Sequence, residues 1–108
     1  MTVNGKTLSM TRGDTESITV TVTGYTLGDG DKIELTVRKR PDAVRKELHK
    51  TVTEFTDNKA IFIISSADTS GMIFGSYVYD IQLTTADGAV ITIIKPSSFI
   101  ITPEVTYG

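Results

Sequence analysis

Apolar and polar residues alternate along 75–84. Tyr77, Tyr79, Ile81 and Leu83 fall on one face of an extended chain, and Ser76, Val78, Asp80 and Gln82 on the other. Successive side chains of a strand point to opposite sides of its sheet, so this period of two predicts a half-buried β-strand. Asp87-Gly88, just beyond it, predicts a tight hairpin with positive φ angles at both residues. Residues 17–23 alternate as cleanly, with Ile18, Val20 and Val22 against Thr19, Thr21 and Thr23. β-Branched side chains on both faces suit a pleated surface, where their restricted χ1 costs little.

The same reading places further strands. Leu8 and Met10 mark a short one that ends at Gly13-Asp14, and 32–39 puts Ile33, Leu35 and Val37 inward after the loop Gly28-Asp29-Gly30-Asp31. Arg40-Pro41-Asp42 is a turn, because Pro41 lacks an amide proton and restricts its predecessor. Residues 43–48 fit either a helical turn or the approach to a strand. The preferred strand, 47–53, pairs antiparallel with 32–39. Asp57-Asn58-Lys59 turns into a strand at 60–65. Ser65 or Ser66 then caps one helical turn, which Gly71 ends in a left-handed conformation. After the strand at 77–84, a return strand covers 89–95, Pro96-Ser97-Ser98 interrupts it, and 99–106 forms the last strand, with Pro103 indicating a sheet edge.

Strands recurring at such short intervals, with turn residues between them, predict an all-β two-sheet sandwich of about 7–9 strands with one short helical turn near 66–71. At 108 residues, 1–108 makes one domain. The net charge of −2 gives no overall field for nucleic acid. With 0 Cys there is no disulfide framework, which favours a reducing compartment. Mean hydropathy is near zero, and no apolar run approaches the roughly 20 residues that cross a bilayer. The segment Met1-Thr2-Val3-Asn4-Gly5-Lys6 lacks a signal peptide's apolar stretch. The expectation is synthesis in a cytoplasm, with neither a membrane nor a nucleic-acid partner.

In three places the apolar pattern overshoots. Ala60-Ile61-Phe62-Ile63-Ile64, Ile91-Thr92-Ile93-Ile94 and Phe99-Ile100-Ile101 carry isoleucines on both faces. One core accepts one face of each strand, and a wet apolar patch is unfavourable in a soluble monomer. Ile61, Ile63, Ile93 and Ile100 are therefore candidates for a subunit interface, and cover by loops is the competing account. The basic stretch 38–50, with Arg38, Arg40, Arg45 and Lys46, reads first as a solvated hairpin that blocks edge-to-edge sheet pairing, and it is also a candidate docking lobe for an acidic protein surface. It has no adjacent aromatics to stack bases.

Other patterns carry less chemistry. Arg12-Gly13-Asp14 matches an integrin-type tripeptide by letter, but its glycine and aspartate equally serve a turn. Asp29, Asp31, Asp57 and Asp87 lie in loops too short for a recognised calcium-binding arrangement, so no metal site follows. His49 is the one histidine, and no nucleophile–base set can be assembled around it, so neither catalysis nor a cofactor is expected.

The motif Gly75-x-Tyr77-x-Tyr79-Asp80-Ile81-x-Leu83, the Asp87-Gly88 hairpin and Phe99-x-Ile101-x-x-Glu104-Val105-Thr106 resemble small immunoglobulin-like β-sandwich modules of phages and prophages. The nearest type is the N-terminal domain of siphophage upper baseplate proteins of the BppU-like family. Gly13-Asp14 with Ser17-Ile18-Thr19-Val20, the segment from Asp29 to Val37, and Asp68-Thr69 resemble the same domain. In baseplate proteins this module precedes a long stalk or receptor-binding region, whereas this sequence ends at Gly108. The resemblance implies an immunoglobulin-like antiparallel sandwich that serves as a virion building block. Its implied partners are other tail or baseplate proteins, with a homo-oligomer as one arrangement. The alternative is an adhesive immunoglobulin-like module that binds a host-surface glycan or protein.

Overall fold

The computed structural model describes residues 2–3, by their backbone alone, and 7–103. Its strands are β1 (Thr2–Val3), β2 (Leu8–Thr11), β3 (Glu16–Thr21), β4 (Lys32–Arg38), β5 (Leu48–Val52), β6 (Lys59–Ile64), β7 (Gly75–Thr84) and β8 (Val90–Thr102). One helical turn, α1 (Ser66–Ser70), joins β6 to the segment before β7. The alternation of β4, β6 and β7 is realised residue by residue. Ile33, Leu35, Val37, Ala60, Phe62, Ile64, Tyr77, Tyr79, Ile81 and Leu83 all enter one core, which Ile18, Val20, Phe99 and Ile101 complete.

The strands form a three-stranded sheet in the order β1-β3-β6 and a five-stranded sheet in the order β2-β8-β7-β4-β5. β5 and β6, each at the edge of its sheet, run close together. The result is an all-β domain with mixed sheets that curl as an open half-barrel around the shared core. No helix among the described residues is long and apolar enough to cross a membrane.

Several expectations are corrected. The sheets are not purely antiparallel, because β1 pairs parallel with β3 and β2 parallel with β8. β1 and β2 belong to different sheets, and both short strands align with neighbours running in their own direction. Pro96 does not interrupt the last sheet segment either. β8 is one strand in which Lys95 and Pro96 together oppose Asp80, while Ile93 has no partner between Ile81 and Gln82. Such bulges leave a residue outside the ladder, so a proline without an amide proton is tolerated there. β8 lies between β2 and β7, so it is an interior strand and not an edge. The remainder of the expected last strand, 104–106, lies outside the described residues.

Two turns exchange roles. Asp57 and Asn58 have φ of 53° and 60°, the paired left-handed geometry of a two-residue turn. At the β7–β8 hairpin only Gly88 is left-handed, with φ 94°. The amides of Thr85 and Gly88 close a longer loop onto Ala89 and Thr85. Gly71 is not left-handed, since its φ is −94°. The Met72 amide bonds to the Thr69 carbonyl at 2.9 Å, and this tight last turn lets the chain leave α1 without a left-handed residue. The other end of α1 follows expectation: Ser65 precedes it, and the Asp68 carboxylate accepts the Ser65 amide at 2.7 Å.

Candidate functional site

The outer face of the three-stranded sheet carries Ile61 and Ile63, 52% and 54% exposed. They project from β6 opposite Thr19 and Ser17 of β3. Their positions follow from the strict alternation that buries Ala60, Phe62 and Ile64 on the other side. Ile93 and Ile100 belong to the five-stranded sheet and do not join this pair. Ile100 pairs with Ser76 of β7 and Ser9 of β2 and is half-buried. The bulge at Ile93 sets its side chain against the border of the core. There it lines a groove of about 680 Å³ between the end of β3 and β8, with Val22, Tyr25, Leu83 and Ile91.

The basic stretch is a hairpin whose loop folds back over the five-stranded sheet. The Arg38 Nε donates to the Ala43 carbonyl at 2.9 Å, tying the loop to the end of β4. Arg40 pairs with Asp42 and Arg45 with Glu47, each at 3.3 Å. Lys39 stands 5.2 Å from the centre of the Tyr77 ring, and Lys50 reaches Asp68 of α1 at 2.8 Å. These contacts hold the hairpin in shape and leave Lys39, Arg40, Arg45 and Lys46 exposed.

Under this loop lies a concavity of about 420 Å³, lined among others by Glu34, Arg38, Lys46, Asp80 and Gln82. The bulge formed by Lys95 and Pro96 opens the sheet beside Asp80. Burial pushes the Asp80 carboxyl above its ordinary value, and the nearby Arg38 charge only partly offsets that. Burial works in the same direction on Glu34. There the hydrogen bond with His49 at 2.8 Å and the Lys32 charge outweigh it, and the carboxyl lies below its usual range. His49 is thus the partner of a carboxylate on the neighbouring strand. The alternation placed Asp80 on the polar face but could not show the loop that covers it.

The Arg12-Gly13-Asp14 tripeptide is built into the fold. The Arg12 guanidinium lies 4.1 Å from the centre of the Phe74 ring, and the Gly13 amide, at φ 87°, donates to the Thr69 hydroxyl at 2.9 Å. At the opposite end of the strands, Asp31 is 4% exposed. Its carboxylate accepts the amides of Gly28 and Ala86, each at 2.9 Å, and the Tyr25 hydroxyl at 3.1 Å. The Gly28 amide is the chief cause of its lowered pKa. Among the described residues no group of three or more His, Cys, Asp or Glu side chains is placed to hold a metal ion.

Tyr77 and Tyr79 fill the core as expected. The Tyr77 hydroxyl donates to the Ile73 carbonyl at 2.7 Å, and the Tyr79 ring meets Phe99 edge-on with centroids 6.2 Å apart.

No family model matches this chain, and no curated protein matches it. Fold and surface together define an all-β domain whose distinctive groups are outward isoleucines, a braced basic hairpin and a small polar concavity.

Proposed function

We propose that this domain is a structural assembly module of phage or prophage type, an immunoglobulin-like sandwich that works in a tail or baseplate through contact with other proteins. The observation that carries the reading is the Ile61–Ile63 pair, held side by side on the outer face of the three-stranded sheet and half in water. A partner's apolar surface would remove that area from water, at about 25 cal/mol per Å². The hairpin bearing Arg38, Arg40, Arg45 and Lys46 adds charge, which serves the choice and orientation of a partner more than raw affinity. The resemblance carried by Gly75, Tyr77, Tyr79 and Leu83 supports the same reading, because these residues build β7 at the centre of the larger sheet.

The test is incorporation into particles. Tail or baseplate assemblies purified from the phage or prophage that encodes the chain should contain it at fixed stoichiometry by mass spectrometry. An Ile61→Asp/Ile63→Asp variant should keep the circular dichroism of the folded domain and be lost from the particles. Particles that never contain the chain would overturn the proposal.

A further inference from the structure

The longest strand is about as long as the molecule. The molecule's extent of 44 Å matches the thirteen residues of β8 at about 3.3 Å each. The connecting loops therefore gather at two ends. At one end lie 12–15, 65–74 and the 39–47 loop, whose tip folds back over the outer face of the five-stranded sheet, and at the other lie 22–31, 53–58 and 85–89.

The two ends differ in charge. The second group of loops contains Asp29, Asp31, Glu54, Asp57 and Asp87 and no lysine or arginine. Lys32 and Lys59, at the starts of β4 and β6, offset part of this. The first end carries Lys39, Arg40, Arg45 and Lys46, all exposed, with Arg12 stacked on Phe74. Three of its five acids are paired, Asp42 to Arg40, Glu47 to Arg45 and Asp68 of α1 to Lys50; the others are Asp14 and Glu16. Each end also exposes apolar side chains. Val44, Ile73 and Phe74 stand at the basic end, and Tyr25 and Val90 at the acidic one.

We infer that the chain associates with itself head to tail, the basic end of one copy docking on the acidic end of the next. The inference rests on the reading of the domain as an assembly module and names its partner as a second copy. Charge complementarity within one chain supports this: among the described residues the first end holds most of the exposed cations and the second most of the exposed carboxylates, and a net charge of −2 sets little long-range repulsion between copies. A contact between two different ends of one molecule is heterologous, so it propagates into a ring or a filament and does not stop at a dimer. The cross-section of 29 × 20 Å limits each end to roughly 500 Å², at the low end of specific interfaces. The contact is accordingly weak and salt-sensitive.

The test is sedimentation velocity on purified chain across a concentration series. At low salt the mass should climb past two copies, and it should return to one copy in about 0.5 M salt, where the Debye length is about 4 Å. Arg40→Glu/Arg45→Glu and Asp29→Lys/Glu54→Lys, each checked for folding by circular dichroism, should each weaken association at least about tenfold alone. Mixing the two variants should restore it, because the reversed ends complement each other as the natural ones do. A mass that stays at one copy, stops at two, or ignores both salt and the charge reversals overturns the inference. So does association lost in Ile61→Asp/Ile63→Asp but kept in both charge variants, which would assign self-contact to the sheet face. None of these outcomes decides whether the chain enters particles, so the two proposals fail separately.

Discussion

The carboxylate of Asp31 accepts the amide of Ala86 at 2.9 Å across 55 positions of sequence, fastening the loop after β3 to the β7–β8 hairpin. A second oxygen contact comes from the Gly28 amide at 2.9 Å, within the same loop. Both donors prefer the charged carboxylate, so the folded state holds this proton less tightly than the unfolded chain does.

The pH dependence follows. A depressed folded pKa contributes stability that is fully present above the unfolded value of 3.8 and is lost as the pH falls through the lower folded value. Asp31→Asn cannot gain this stability. Urea denaturation should therefore find the variant less stable than the natural chain at neutral pH, with the gap narrowing on acidification below about pH 4. A gap that stays constant with pH would show that the charge contributes nothing.

The same junction makes two glycines unequal. A Cβ at Gly30 would lie 2.7 Å from the Cβ of Ala86, and φ is 88°; a Cβ at Gly88, with φ 94°, would meet nothing within 4 Å. Gly88→Ala carries the left-handed strain alone and should cost about 1 kcal/mol. Gly30→Ala adds a rigid clash between two elements and should cost about 2–4 kcal/mol. Denaturation midpoints of the two variants decide this, and equal losses would mean that the hairpin shifts freely.

Asn58 anchors the same loop from the other side. Its side-chain amide donates to the carbonyls of Val22 and Tyr25 and accepts the Leu27 amide, each at 2.7 Å, while its own φ is 60°. Asn58→Ala removes all three bonds and strains the backbone, for an expected loss of about 2–4 kcal/mol. Asn58→Gly removes the bonds but tolerates the angle, and should lie about 1 kcal/mol above the alanine variant. Hydrogen exchange at Leu27 should accelerate in both.

The sequence pattern made Asn58 legible as a turn residue and no more, since its three partners lie 31 to 36 positions away. Strand identity was readable because it depends on local alternation: Ile33, Leu35 and Val37 are buried wherever β4 pairs. Strand neighbours were not, and the parallel β2–β8 pairing depends on which sheet receives the first segment. Pro96 misled for a related reason. A proline ends a strand unless a bulge excuses its missing amide, and the bulge is a relation between β8 and Asp80 on β7. The outward Ile61 and Ile63 could be read from their own strand, whereas the concavity over Asp80 needed the folded-back hairpin.

Asp80 should behave in the sense opposite to Asp31. Burial raises its folded pKa above the ordinary 3.8, and Arg38 compensates only in part. A raised carboxyl value means that the folded protein holds the proton more tightly, so stability falls as the pH climbs from the unfolded value through the folded one. Above both values the cost is constant, and below both it vanishes. Asp80→Asn keeps the shape of the side chain and removes the charge, so it should raise the urea midpoint at neutral pH and lose that advantage near pH 3. Asp31→Asn, measured alongside, moves the other way, so a general effect of removing negative charge from an acidic chain cannot account for both. If Asp80→Asn destabilises the domain at neutral pH, the carboxylate is held by favourable contacts, and burial is not what governs its proton.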